Sequence, residues 1–355
     1  MIVYPFMLMR ESARLKEFTF KVYMVLMKII EVKNLSRHFG TLRAVDSISF
    51  HVNEGEIFGL LGPNGAGKTT TIKMLTTILK PTSGDAKVAG FDIKEDQRDV
   101  RSNIGIVFQD PSLDDELTGR ENLEFHAILY RISGERMEKK VRDVLKLVEL
   151  DDKADVLVKN YSGGMKRRLE IARGLIHEPK VLFLDEPTIG LDPQTRRHMW
   201  DYIKKLNQEK KTTIILTTHY IEEADYLCER VAFVDHGKIV ALDTPDALKR
   251  KLGGDVISLQ LGKENQNFER AMKKTKWVKT ISKHDGFLDL TVEDGEKKIP
   301  SIIMLGEKHK VQISSVSLHK PSLEDVFIFY TGKTIREEEG SWKDMMRAVR
   351  NARNR

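Results

Sequence analysis

One cysteine in 355 residues, Cys228, rules out an internal disulfide and fits a reducing compartment. No obvious base lies near it in sequence, so it reads as filler on a buried helix face. Aromatics are scarce at 7%, yet hydrophobic residues reach 40% and charged residues 32%. That mixture buries a large core, which excludes a disordered chain, a collagen and a disulfide-stapled miniature. No run of 18 apolar residues occurs. Of the two longest candidates, Ile2 to Met9 is too short to span a bilayer and Lys28 interrupts Val22 to Ile30. Arg10 follows the first run instead of preceding it, the reverse of a signal peptide. The chain is expected to be soluble by itself, and any membrane role needs a partner.

A basic body is also missing. The net charge of +6 comes from the two ends. Residues 1–30 hold five Lys/Arg against two Asp/Glu, and residues 331–355 hold seven against four, which leaves residues 31–330 with 47 of each sign. A nucleic-acid-binding domain would place the excess on its own face, so no nucleic-acid partner is expected.

Residues 1–26 show no clean period and read as a non-native or disordered leader, with Met24 or Met27 as the natural start. From Met27 strands and helices alternate. Buried-strand patterns occur at Glu56 to Leu61, Asn103 to Phe108, Val181 to Leu184, Thr212 to Thr218 and Val231 to Val234. A helix is expected from about Gly67 to Leu79, followed by a turn at Pro81, Ser83 and Gly84. Residues 118–132 and 135–150 read as helices; in the second, Met137, Val141, Val144, Leu145 and Val148 form one apolar stripe. After Leu252 the pattern becomes β-α-β-β-α-β. The strands are Val256 to Leu261, two around Asp285 and Gly286, and Val311 to Leu318; the helices are Asn267 to Lys274 and Ile299 to Leu305. The predicted organisation is an α/β body over 27–250 with a helical insert at about 111–165. A small α+β domain over 251–331 and a basic tail over 332–355 complete it. In the tail Trp342, Met345, Met346 and Val349 share one helical face with arginines beside it, the pattern of a membrane-surface or partner-binding helix.

The chemistry begins at Gly62, Pro63, Asn64, Gly65, Ala66, Gly67, Lys68 and Thr69, which match G-x-x-x-x-G-K-[ST] between a buried strand and a helix. Glycines let successive N–H groups turn inward on a phosphate, Lys68 adds a full charge, and the Thr69 hydroxyl is a hard ligand for Mg²⁺. The buried strand Val181 to Leu184 delivers Asp185 and Glu186 at its C-terminal end, where α/β sheets place ligands. Asp185 suits Mg²⁺, and Glu186 suits proton acceptance from an attacking water. Neighbouring side chains on a strand diverge, so the two acids take different roles. Ser162 is a natural N-cap, and Gly163 and Gly164 open the backbone to a second phosphate. Gln109 and His219 each close a strand.

In this order and spacing the sequence resembles the ATP-binding subunit of an ABC transporter over about Ile29 to Leu248. Gly62 to Thr70 match the Walker A loop, Gln109 the Q-loop, Ser162, Gly163 and Gly164 the signature, Asp185 and Glu186 the Walker B acid and catalytic glutamate. Leu191 and Asp192 match the D-loop, His219 the switch histidine, and Phe39 the aromatic that stacks on adenine. The signature reads Tyr161 to Met165 where the commonest form is LSGGQ, and this form resembles the daunorubicin-resistance, drug-export type. Ser322 to Phe327, with Thr331 and Gly332, are similar to that group's C-terminal extension.

The resemblance implies a P-loop ABC-type fold with a mostly parallel core sheet, an antiparallel N-terminal sheet, a helical subdomain and a small α+β domain. It implies ATP and Mg²⁺ as ligands, with Glu186, His219 and Lys68 catalytic. Thr70, Gln109, Asp192 and Phe39 would contact nucleotide; Thr69, Gln109 and Asp185 would hold metal. It further implies head-to-tail pairing, as a homodimer or with a second ATPase, on a membrane-spanning permease at the inner face of the cell membrane. A soluble DNA-repair ATPase would need long coiled coils between Lys68 and Tyr161, and a translation factor two cassettes; neither is present. A module that holds nucleotide only structurally is disfavoured by Glu186 and His219.

Overall fold

The computed structural model describes residues 27–110, 112–262, 265–284 and 286–333. The leader and the tail helix expected around Trp342 lie outside these residues. The described residues divide into two compact units: residues 27–58 with Thr69–Thr217, and Gly59–Lys68 with residues 218–333.

In the first unit, β1 (Lys28–Phe39) and β2 (Leu42–Asn53) form a long antiparallel hairpin that turns at Gly40, whose φ is +58°. β3 (Ile57–Leu61), whose last three residues belong to the second unit, is buried at every residue and leads toward α1 (Lys68–Leu75), whose Lys68 belongs there too. This helix stops earlier than the sequence pattern predicts. The Thr76 hydroxyl donates back to the Ile72 carbonyl (2.8 Å), and Thr77 takes φ +63°. β4 (Ser83–Val88) pairs with β1, and β5 (Phe91–Asp92) adds an edge, giving the antiparallel order β2-β1-β4-β5. Ser83 and Gly84, expected in the turn, are therefore strand residues. Glycine is required at 84 because a Cβ there would overlap the Asn34 carbonyl.

α2 (Gln97–Asn103) precedes β6 (Ile104–Val107), so Asn103 closes a helix instead of opening the strand. The helical region follows as α3 (Gly119–Leu129), α4 (Gly134–Leu147) and α5 (Gly163–Leu175). Thr118 and Glu121 form a reciprocal capping box on α3. The α4 stripe is buried at Val141, Val144 and Leu145. Next come β7 (Val181–Asp185), α6 (Pro193–Lys210) and β8 (Thr213–Thr218). β6, β7 and β8 are parallel, with Val107 beside Leu184 and Asp185 beside Thr217. Their apolar content follows from cover on both faces. At Gly105 a side chain would overlap the Gly174 carbonyl, so β6 and α5 touch backbone to backbone.

In the second unit, α7 (Ile221–Leu227) ends at buried Cys228, whose sulfur packs where Gly59 has no side chain. β9 (Arg230–Asp235) and β10 (Lys238–Asp243) form a hairpin through His236 and Gly237, both at positive φ. α8 (Pro245–Leu252) is capped by Thr244. Then come β11 (Asp255–Leu261), α9 (Gln266–Lys273), β12 (Val278–His284), β13 (Phe287–Val292), α10 (Gly295–Lys308) and β14 (Ile313–His319). This is the β-α-β-β-α-β succession read from the sequence, with antiparallel order β12-β13-β11-β14. α10 is longer than expected and continues through exposed Pro300, which lies inside the helix. Ile257, Leu259, Leu288, Leu290 and Val292 pack with Phe268, Met272 and Ile302 as the core of this domain. α11 (Leu323–Thr331) closes the described chain, and Phe327 meets Phe233 edge-on at 5.8 Å between ring centres.

Candidate functional site

β3 delivers its backbone directly into the glycine loop. Gly62 and Pro63 are buried, while Asn64 and Gly65 are exposed. Gly65 and Gly67 have φ +87° and +105°, values an L side chain rarely adopts. At Gly62 the need is steric, since a Cβ would overlap the Val234 carbonyl. The Gly62 amide donates to the Thr218 carbonyl (3.3 Å), and the Ala66 carbonyl accepts from Gly237 N–H (2.9 Å). Lys68 is buried, and its ammonium donates to the loop carbonyls of Gly62 (2.7 Å) and Pro63 (3.1 Å). A buried cation curled onto a glycine loop at a helix start fits a polyphosphate.

A chain of oxygens runs from the first helical turn to the acids. Thr69 Oγ1 donates to Asp185 Oδ1 (2.9 Å), and Thr217 Oγ1 donates to the same oxygen (2.6 Å). The Glu186 amide donates in turn to Thr217 Oγ1 (3.0 Å) and to the Thr217 carbonyl (3.2 Å). A hydroxyl and a carboxylate side by side make a hard-oxygen donor set, which fits Mg²⁺. Asp185 and Glu186 are both nearly buried, at 1% and 4% exposure. They diverge for a reason the strand pattern does not contain. β7 ends at Asp185, and Glu186 takes φ +49°, the left-handed region. A non-glycine residue there costs about 1–2 kcal/mol.

The remaining expected residues occupy element ends. Gln109 is exposed two residues past β6. Ser162 caps α5, its hydroxyl accepting from Met165 N–H (3.3 Å). Gly163 and Gly164 lie beside Leu191 and Thr195; a Cβ on Gly164 would sit 2.6 Å from the Thr195 methyl. Asp192 caps α6 through Gln194 and Thr195 N–H (3.1 and 3.0 Å), and hydrogen bonds from Thr195 hold its carboxyl below the usual range. His219 follows β8 and its ring lies 4.1 Å from Tyr220. Phe39 ends β1 with its ring 46% exposed and the Arg37 guanidinium 4.6 Å over it. Thr70 is half-buried in α1.

The structure thus joins Thr69, Asp185 and Glu186 through Thr217, and sets Ser162–Gly164 against the Leu191–Thr195 segment. Two participants escape a motif reading. Thr217 looks like any strand threonine. Arg167, in the helix that Ser162 caps, is 8% exposed and donates to the carbonyls of Asp185 and Glu186. The signal in sequence was an Arg–Glu pair at i, i+3, Arg167 and Glu170, on the apolar side of α5.

Comparison with known proteins adds identity to this geometry. Residues 45–189 match the ABC transporter family, and residues 244–331 match the ATP-binding protein DrrA1-3-like C-terminal domain. The chain is 36% identical to linearmycin resistance ATP-binding protein LnrL of Bacillus subtilis (strain 168), over 87% of this chain and 100% of that one. It is 38% identical to the daunorubicin/doxorubicin resistance ATP-binding protein DrrA of Streptomyces peucetius, over 86% and 93%. Among solved structures it is similar to cbiO1 of Clostridium perfringens, part of the ABC transporter complex cbiONQ (TM-score 0.59, 30% identity, 63% of this chain and 94% of that one). It is also similar to the dimeric ATP-binding cassette MJ0796 bound to ADP and Pi (TM-score 0.54, 30% identity, 61% and 98%). The chain belongs to the ATP-binding subunits of ABC transporters, with the C-terminal domain of the DrrA type.

Proposed function

We propose that this subunit hydrolyses ATP to drive export of a small molecule through a separate membrane-spanning permease, as two ATPase subunits paired head to tail. The observation that supports it most directly is the contact of Thr69 and Asp185 (2.9 Å) with Glu186 fixed one residue on. It joins the phosphate loop's hydroxyl to the acids of the catalytic strand. Export follows from the likeness to resistance proteins and from the matching C-terminal domain. Residues 27–250 would form the ATPase body and 251–331 the accessory domain.

Phe39 offers its exposed ring to adenine. The amides of Gly62 to Thr70 and the Lys68 ammonium bind the phosphates. Thr69 and Asp185, with Gln109, would hold Mg²⁺, which neutralises phosphate charge when bound. Glu186 accepts the proton of the attacking water, and His219 orients that water against the γ-phosphate. Ser162, Gly163 and Gly164 serve the partner subunit's nucleotide, and Asp192 lies beside them at the subunit junction. Among the described residues no helix is long and apolar enough to cross a membrane. The permease contact falls to the helical region, where Phe125, Ile128 and Leu129 on α3 are 59–63% exposed. On this reading the subunit works at the inner face of the cell membrane.

The test is ATP turnover by the purified chain at rising concentration, with Glu186→Gln as control. Turnover should rise more steeply than concentration, and the variant should bind ATP but lose about 10²–10⁴-fold in rate. A fully active Glu186→Gln removes the general base from this scheme.

A further inference from the structure

A guanidinium has five N–H donors in a fixed plane. All five of Arg167 are engaged, each by a separate acceptor. Nε donates to the Pro187 carbonyl (2.8 Å). Nη1 donates to the Phe108 carbonyl (2.6 Å) and to Glu170 Oε2 (2.8 Å). Nη2 donates to the carbonyls of Asp185 (2.9 Å) and Glu186 (3.1 Å). Four of the five acceptors are backbone, so what Arg167 fixes is the path of the main chain. That path runs through three consecutive residues at the exit of β7 and through Phe108, the neighbour of Gln109.

The other oxygen of Glu170 accepts from Ser112 N–H (2.9 Å), and Arg173 donates to the Ser112 carbonyl (2.5 Å). The Gln109 segment is therefore tied to α5 on both sides, at Phe108 and at Ser112. Glu186 meanwhile sits in a left-handed conformation, with its amide held by Thr217 and its carbonyl by Arg167. A strained backbone persists only where its surroundings over-determine it.

We propose that Arg167 is a positioning residue for hydrolysis. Its guanidinium, with Glu170 as counter-ion, locks the backbone of Glu186 to the Gln109 segment, so that a displacement of that segment is transmitted to the base. This rests on Glu186 being the base. Replacement by Lys keeps the charge but loses the planar fork, so it cannot hold both backbone segments at once.

The experiment compares Arg167→Met, Arg167→Lys and Glu186→Gln in the full chain. It measures ATP affinity, turnover, melting temperature and amide hydrogen exchange. Arg167→Met should keep ATP affinity within about threefold and lose about 100-fold in turnover, the scale of a 1 Å misplacement. Arg167→Lys should recover about tenfold of that loss. Exchange in peptides 105–110 and 185–190 should accelerate in both variants, with peptides of residues 255–319 unchanged. Turnover within twofold of wild type, or unchanged exchange in the two named peptides, overturns the proposal. So does a parallel fall of affinity, turnover and melting temperature in both variants, which marks an ordinary structural residue. If Arg167→Met does not fold, the lysine variant decides, and exchange decides where the lone chain turns over too slowly to measure. Glu186→Gln separates the two ideas: wild-type turnover there defeats the base assignment whatever Arg167 does.

Discussion

Thr217→Val removes one hydroxyl and leaves the shape of the side chain. In the native protein that hydroxyl donates to Asp185 Oδ1 at 2.6 Å and accepts from the Glu186 amide at 3.0 Å, in a fully buried position. A hydrogen bond to a charged group contributes about 1.5–3 kcal/mol. Neither partner is orphaned by the change. Asp185 Oδ1 keeps the Thr69 hydroxyl at 2.9 Å, and the Glu186 amide keeps the Thr217 carbonyl at 3.2 Å. The cost therefore falls toward the lower end, about 2 kcal/mol. For a domain of this size that lowers the melting temperature by about 4–8 °C. Thr217→Ser does the reverse, keeping the hydroxyl and losing a methyl group, for about 1 kcal/mol. The assay is urea and thermal unfolding of both variants without nucleotide, followed by turnover. Turnover should fall at least tenfold in the valine variant, since the Glu186 amide loses one of its two acceptors. The serine variant should stay near wild type. A valine variant within about 0.5 kcal/mol of wild type, with serine the worse of the two, refutes the argument.

Other substitutions test other parts of the scheme. Lys68→Ala deletes the ammonium that meets two loop carbonyls, and ATP affinity should drop about 100-fold, the equivalent of about 3 kcal/mol; fluorescent-nucleotide titration reads it, and an unchanged affinity would place phosphate elsewhere. Phe125→Glu with Leu129→Glu alters only exposed positions, so stability should stay within about 0.5 kcal/mol while co-purification with the permease is lost. Retained co-purification would move the docking surface away from α3. His126 gives a pH signature. Burial, with the nearby charges of Arg173 and His177, lowers its pKa from 6.5 to about 4. Between those values the unfolded chain binds a proton that the folded one does not, so stability declines as pH falls from 6.5 toward 4. Discounted for the ring's remaining solvent contact, the loss is about 1–2 kcal/mol. His126→Gln should flatten the profile measured by urea midpoints at pH 7 and 4.5, and two parallel profiles would exclude this origin.

Much of the molecule was legible in one dimension because its signals are local. A wholly apolar pentad such as Ile57–Leu61 states that it is buried on both faces, and the glycines that follow state that the backbone must turn where side chains cannot. The β-α-β-β-α-β succession after Leu252 was also local, since each element announces itself by its own period. The boundaries were less legible. Asn103 and Ser83 each fell into a neighbouring element, because hydrogen bonding and not hydropathy decides where a strand or helix stops.

The sequence by itself determined which chemical groups exist and in what order: a phosphate loop, a strand ending in two acids, a serine-glycine helix start and the closing histidine. It did so because each motif is a short run whose residue types and spacing are read without its neighbours in space. The tertiary structure alone decided which groups meet. Thr69 and Asp185 are 116 residues apart, and the register of the parallel strands puts Asp185 beside Thr217. No periodicity reports that register, since it is set by pairing between distant segments. The same holds for Arg167. Its charge is written in the sequence, but its five acceptors lie on three separate stretches of chain, and only close packing around α5 brings a basic helix residue onto the backbone of Asp185, Glu186 and Pro187.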